Sequence, residues 1–169
     1  MRTTLASLGI AAMMLAVSCA DSAMEGSLCE RNFEPYANLN KGIARNSING
    51  ALVDAMVPYD QGDHIAAVPL LEAYLTRPDA QEIANLYLAS SYMATGRYFD
   101  AELRLDKAEN SNSRQFKDPC EWYTVLCWLC TDQRPRALQG ARTIATAKLH
   151  TYKQQAQQLV KDLEAAGVE

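Results

Sequence analysis

The chain has 169 residues, enough for one domain with a real core and too few for two large ones. With 49% apolar and 21% charged residues it has the composition of an ordinary globular protein, and no low-complexity tract or block of like charge argues for disorder. A formal net charge of -4 leaves no basic footprint, which argues against nucleic acid as a partner.

At the N-terminus Met1 and Arg2 lead into an uncharged run from Leu5 to Val17. That run is shorter than the ~20 residues of a bilayer-spanning helix, so residues 1–19 are predicted to be an export signal rather than an anchor. Its end, "LAVSC", resembles the lipobox of bacterial lipoproteins, although Ala16 stands where leucine is usual. The resemblance implies lipidation of Cys19 as the first mature residue. "SCA" before Asp21 also suits an ordinary signal peptidase, with small Ser18 and Ala20 at its selective positions. The expectation is an exported protein, periplasmic or held at the outer membrane by lipid. The alternative is a soluble periplasmic chain cut after Ala20.

Either cut removes Cys19 from disulfide chemistry and leaves Cys29, Cys120, Cys127 and Cys130 in a compartment that permits oxidation. If 119–131 is one helix, Cys120 and Cys127 stand roughly 10 Å apart along its axis and cannot pair. Small unpaired core residues are the preferred reading of the four, ahead of a bridge from Cys29 to one of the other three. Residues 20–47, including "RNFEPYANLNKGIARN", show no clear period and are predicted to be an irregular arm, helical in part at most.

From residue 48 a period appears. Leu52, Ala55, Gly62, Ala67 and Leu71 return 34 positions later as Leu86, Ala89, Gly96, Ala101 and Leu105. Alanines suit close helix crossings, glycine suits a left-handed helix end, and leucines fill the seam. A third unit follows at an offset of 36, where Thr95, Gly96 and Ala101 correspond to Thr131, Asp132 and Ala137. Its aspartate tolerates the turn less well than glycine does.

Three local expectations accompany the repeat. Asp79 should cap the helix beginning near Ala80, with Glu82 completing a capping box. Asp118 before Pro119 should cap the next one. Pro58 and Pro69 should kink or truncate the two helices of unit one. Beyond unit three, Tyr152, Ala156, Leu159 and Leu163 form one apolar stripe, as on a terminal helix that shields the last repeat.

A 34-residue helix-turn-helix period resembles the tetratricopeptide repeat (TPR) family. The resemblance covers 48–166 and implies an all-α fold: a short right-handed superhelix of about three units (48–79, 80–113 and 118–149) with a capping helix at 151–166. It also implies a non-enzymatic scaffold that binds a protein or peptide along the first helices of its units. By register the groove candidates are Leu52, Met56 and Tyr59, then Leu86, Tyr87, Ser90 and Met93, then Trp122, Tyr123 and Leu126. With only three units, many of these are expected to double as inter-helix core. Leu52 and Met56 stand where the carboxylate clamp of chaperone-binding TPRs has lysine and asparagine, so an apolar or aromatic segment suits the groove better than a charged C-terminus.

The competing chemistry is thin. "CWLC", Cys127 to Cys130, has a redox look, but a redox pair belongs at a helix N-terminus and this one falls near a C-terminus, where the dipole opposes a thiolate. A periplasmic thiol or metal protein built on Cys120, Cys127 and Cys130, with His150 as a fourth zinc ligand, is the alternative function. His64 and His150 have no Ser, Cys or Asp at a catalytic spacing, and no recognised catalytic or phosphate-binding motif occurs. No cofactor or metal is expected.

Overall fold

The structure, a computed structural model, describes residues 26–111 and 114–169. The expected export signal and Cys19 lie outside the described residues. All regular structure within them is helical: α1 (Leu28–Asn32), α2 (Gly50–Asp60), α3 (His64–Tyr74), α4 (Ile83–Ala94), α5 (Tyr98–Glu109), α6 (Lys117–Cys130), α7 (Arg134–Thr146) and α8 (Lys153–Ala165). From α2 onward each helix packs on its successor, while α1 lies against α6 and α8.

Three tight turns make the pairs. Gly62 and Gly96 both hold φ at 76°, and Asp132 holds 59°. At each, two amides return to the helix just ended: Gly62 to Tyr59 (3.0 Å) and Asp63 to Pro58 (2.9 Å), Gly96 to Met93 (3.0 Å) and Arg97 to Tyr92 (2.7 Å), Asp132 to Leu129 (3.2 Å) and Gln133 to Trp128 (2.8 Å). This double closure satisfies carbonyls that a helix end otherwise leaves open, and it requires a left-handed residue between. The repeat's glycine is therefore a geometric demand, and Asp132 meets it under strain.

Small residues sit at the crossings. Ala55, Ala67, Ala89, Ala101 and Ala137 are at most 1% exposed, and Leu71 and Leu105 fill the seams beside them. On α8 the stripe Ala156, Leu159 and Leu163 is fully buried against α7. Gly140 extends the same logic: a Cβ there would lie 2.6 Å from Val125 Cγ2 and 2.9 Å from Trp128 Cζ3, so α7 approaches α6 more closely than alanine permits.

Several local expectations need correction. Asp79 does not cap α4; its carboxylate is held by Arg77 (2.9 and 3.0 Å), and the helix begins at Ile83, with no side-chain cap at Glu82. The Tyr74 hydroxyl, from the preceding helix, accepts the Gln81 amide instead (2.9 Å). Asp118 lies inside the first turn of α6 and accepts hydrogen bonds from the Thr151 amide and hydroxyl (2.7 and 3.0 Å). Neither proline truncates its helix, since α2 runs on to Asp60 and α3 to Tyr74. The carbonyls that lose a bond belong to Asp54 and Ile65, exposed positions open to solvent. Cys29 is not free: it is bonded to Cys130, with Cα atoms 4.9 Å apart across a sequence separation of 101. Only Cys120 and Cys127 remain as buried thiols among the described residues.

Candidate functional site

The ten groove candidates fall on α2, α4 and α6, and all are buried. Leu52, Met56, Leu86, Met93 and Leu126 serve the core. Trp122 stacks on Tyr152 at a centroid distance of 5.7 Å and 9° between planes. The other four, Tyr59, Tyr87, Ser90 and Tyr123, turn their hydroxyls to something the sequence did not announce: the chain's own N-terminal arm.

After α1 the arm runs without regular structure over residues 33–38, across the face that α2, α4 and α6 share. Its main chain is held by side-chain hydroxyls. Tyr123 donates to the Glu34 carbonyl (2.7 Å), the Tyr36 amide donates to Ser90 Oγ (2.8 Å), Tyr59 donates to the Tyr36 carbonyl, and the Leu39 amide donates to the Tyr87 hydroxyl (3.0 Å). Such contacts read an extended backbone and leave side-chain choice to the pockets between them.

Two aromatic rings of the arm fill those pockets. Phe33 meets Tyr123 edge-on at 6.3 Å, and Tyr36 lies 6.1 Å from both Tyr87 and Tyr123. The two contacts onto Tyr123 are edge-to-face, and such a contact contributes about 1 kcal/mol beyond area burial. Burial raises the pKa of Tyr59 and Tyr123 and pushes that of Tyr87 up to about 12, so all three phenols keep the protons they donate or share. Asn38 fastens the outgoing chain through its amide to both carboxylate oxygens of Asp60 (3.0 Å each). The Cys29–Cys130 bond ties the incoming chain to the last residue of α6. A cleft of about 510 Å³ remains beside the arm, with Glu34, Tyr36, Trp122, Tyr152 and Gln155 among its walls.

Elsewhere the chemistry is spent on structure. Asp118, Glu121 and His150 bring ligand-type atoms within 4.8 Å of one another. The Tyr152 amide donates to His150 Nδ1 (3.1 Å), which places the neutral ring's proton on Nε2, aimed at Glu121 Oε2 (3.1 Å). Asp118 Oδ2 is already taken by Thr151, and Lys117 lies 3.4 Å from the other Glu121 oxygen. The cluster is a joint between α6 and the α7–α8 connection. The zinc set weighed from the sequence is not assembled, because Cys130 is consumed by its bond to Cys29.

A second cleft, about 530 Å³, opens between α5, α6 and α7 with Glu102, Asp106, Glu109, Glu121, Trp128 and Arg136 among its walls. Trp128 Nε1 donates to Glu102 (2.9 Å) and Arg136 lies over the indole at 4.1 Å. Burial, with Glu121 and Asp106 nearby, raises the Glu109 carboxyl. The spacing of Glu102, Asp106 and Glu109 at steps of four and three is the signal that could have marked this acidic face of α5.

Searches against known protein families, curated proteins and solved structures return no match for this chain.

Proposed function

We propose that this chain is a non-enzymatic adaptor of the bacterial cell envelope: a short TPR-like superhelix that holds another protein through an apolar or aromatic segment. The observation that carries the reading is the grip of Tyr59, Tyr87, Ser90 and Tyr123 on the main chain of an extended peptide. The three recurrent left-handed turns support the repeat architecture. In the same reading Cys19 carries lipid and tethers the domain to a membrane. Mass spectrometry of the mature N-terminus checks this: a lipid adduct on Cys19 is expected, and an unmodified chain beginning at Asp21 would replace tethering with free export.

The thiol alternative has little to support it. Burial pushes the Cys120 and Cys127 thiols up to about 12, which leaves both protonated and poorly nucleophilic near neutral pH.

The adaptor reading is tested by cross-linking the tagged, full-length protein in intact cells and comparing it with a Tyr87→Phe/Tyr123→Phe variant. That variant keeps the rings and loses two hydroxyls. The wild type is expected to capture one partner reproducibly, and the variant several-fold less of it. Equal capture by both, or no reproducible partner, defeats the proposal.

A further inference from the structure

The arm is a ligand seated in its own receptor, and its composition describes what the receptor accepts. Phe33-Glu34-Pro35-Tyr36 is pre-extended: proline fixes its own φ and pushes the residue before it out of the helical region. Little conformational freedom is then left to lose on docking. The face that receives it is lined by Tyr59, Tyr87, Trp122 and Tyr123, the aromatic setting that suits proline-containing extended segments.

The fit has a flaw. Asn40 Nδ2 is buried without a hydrogen-bond partner among the described residues, and a buried donor left unpaired weakens the hold of the arm. α1, at the other end of the arm, buries none of its residues. What compensates is covalent: with Cys29 bonded to Cys130 and the chain continuing into α2, both ends of the arm are tethered, and its effective concentration at the face is of millimolar order.

We propose that the face of α2, α4 and α6 is a docking site for an extended aromatic-x-proline-aromatic segment of another protein, with residues 33–40 as its resident stand-in, locked by the Cys29–Cys130 disulfide. The proposal rests on the adaptor reading and supplies its ligand chemistry. Unlocking requires a dithiol reductant. The Sγ–Sγ bond breaks, two electrons and two protons pass to Cys29 and Cys130, and the reductant closes to its own disulfide. The arm, then held from the α2 side alone, yields to a segment that lacks the Asn40 flaw.

The test is a fluorescence-anisotropy titration of a labelled peptide, NFEPYANLN (residues 32–40), with the full-length protein in four forms: oxidised wild type, wild type reduced by dithiothreitol, oxidised Tyr36→Ala, and Cys29→Ser/Tyr36→Ala. Circular dichroism confirms that each form keeps its helical content. Tyr36→Ala weakens the resident arm while leaving the bridge and the face intact, so it informs even where loss of the bridge unfolds the protein. The peptide is expected to bind the double variant at least tenfold more tightly than the oxidised wild type, with the reduced protein and the single variant between them. Replacing Asn40 of the peptide by leucine should tighten binding further, and replacing Phe33 and Tyr36 by alanine should abolish it.

The proposal is overturned if helical variants bind the peptide no better than the oxidised wild type, or bind the alanine-substituted peptide equally well. Release that yields only a dimer by arm exchange, with the peptide excluded, overturns it too. A partner cross-linked in cells by a protein that rejects this peptide leaves the adaptor reading standing and removes this one.

Discussion

His64 opens α3 with its ring inside the protein, 5.0 Å from the Tyr59 ring and with Nδ1 3.2 Å from Ser91 Oγ. Burial holds the imidazole below its ordinary 6.5, and the neighbouring Asp63 carboxylate offsets only part of that. The unfolded chain therefore takes up the proton first as pH falls, and stability follows the state that binds more protons. His64 contributes fully above about pH 6.5 and loses its contribution as pH drops from there through the lower folded value. Urea midpoints at pH 7.5 and 5.5 should differ by more in the wild type than in His64→Gln; an equal difference would locate the acid sensitivity elsewhere. Gly140 gives a second residue-level prediction with a definite sign. Alanine there gains helix propensity of about 0.5–1 kcal/mol but drives a methyl into Val125 and Trp128, and overpacking costs about 1–3 kcal/mol. Thermal unfolding of Gly140→Ala should shift downward by several degrees, and an unchanged or raised midpoint would mean that the two side chains yield freely.

Among the elements, the turns between paired helices were legible because a left-handed residue leaves a local mark. Glycine at 62 and 96, and the threonine before position 132, identified three equivalent helix ends from composition and spacing alone. Asp132 carries that equivalence into a measurable form. At φ 59° an aspartate is strained by about 1 kcal/mol, and its pairing with Arg134 at 2.8 Å is exposed and contributes little. Asp132→Gly is accordingly expected to stabilise the protein by about 0.5–1 kcal/mol, read as a raised urea midpoint at constant slope. A lowered midpoint would show that the ion pair outweighs the strain. The helix starts were less legible, for a physical reason. Asp79 and Asp118 have the right chemistry for caps, but Arg77 claims the first and Thr151, from beyond α7, claims the second. A cap is a competition, and one competitor was 33 residues away.

At the scale of the whole molecule the sequence was most opaque where the chain is least periodic. Register placed Tyr59, Tyr87, Ser90 and Tyr123 on helices that share a face, yet nothing in residues 20–47 repeats, so the segment that meets their hydroxyls could not be read from periodicity. Only "FEPY" hinted at it, as two aromatics around a proline that keeps the chain extended. The covalent link was equally hidden, since spacing separates Cys120 from Cys127 but does not choose a partner for Cys29. That link makes a prediction that divides the molecule in two. Closing a loop of ~100 residues restricts the unfolded chain by about 4–5 kcal/mol, so reduction should lower global stability. Its local effect should be larger, because the arm buries little beyond Phe33 and Tyr36, whereas α4 buries ten residues between Ile83 and Met93. Hydrogen exchange followed by mass spectrometry should then show reduction accelerating the amides of Tyr36 and Leu39, both bonded to side-chain hydroxyls, by a factor at least tenfold greater than it accelerates those of α4. If reduction accelerates arm and helices by the same factor, the disulfide supports the fold as a whole and the arm is no separable unit; a selective rise confined to residues 33–40 shows that the arm opens while the helical pairs stay closed.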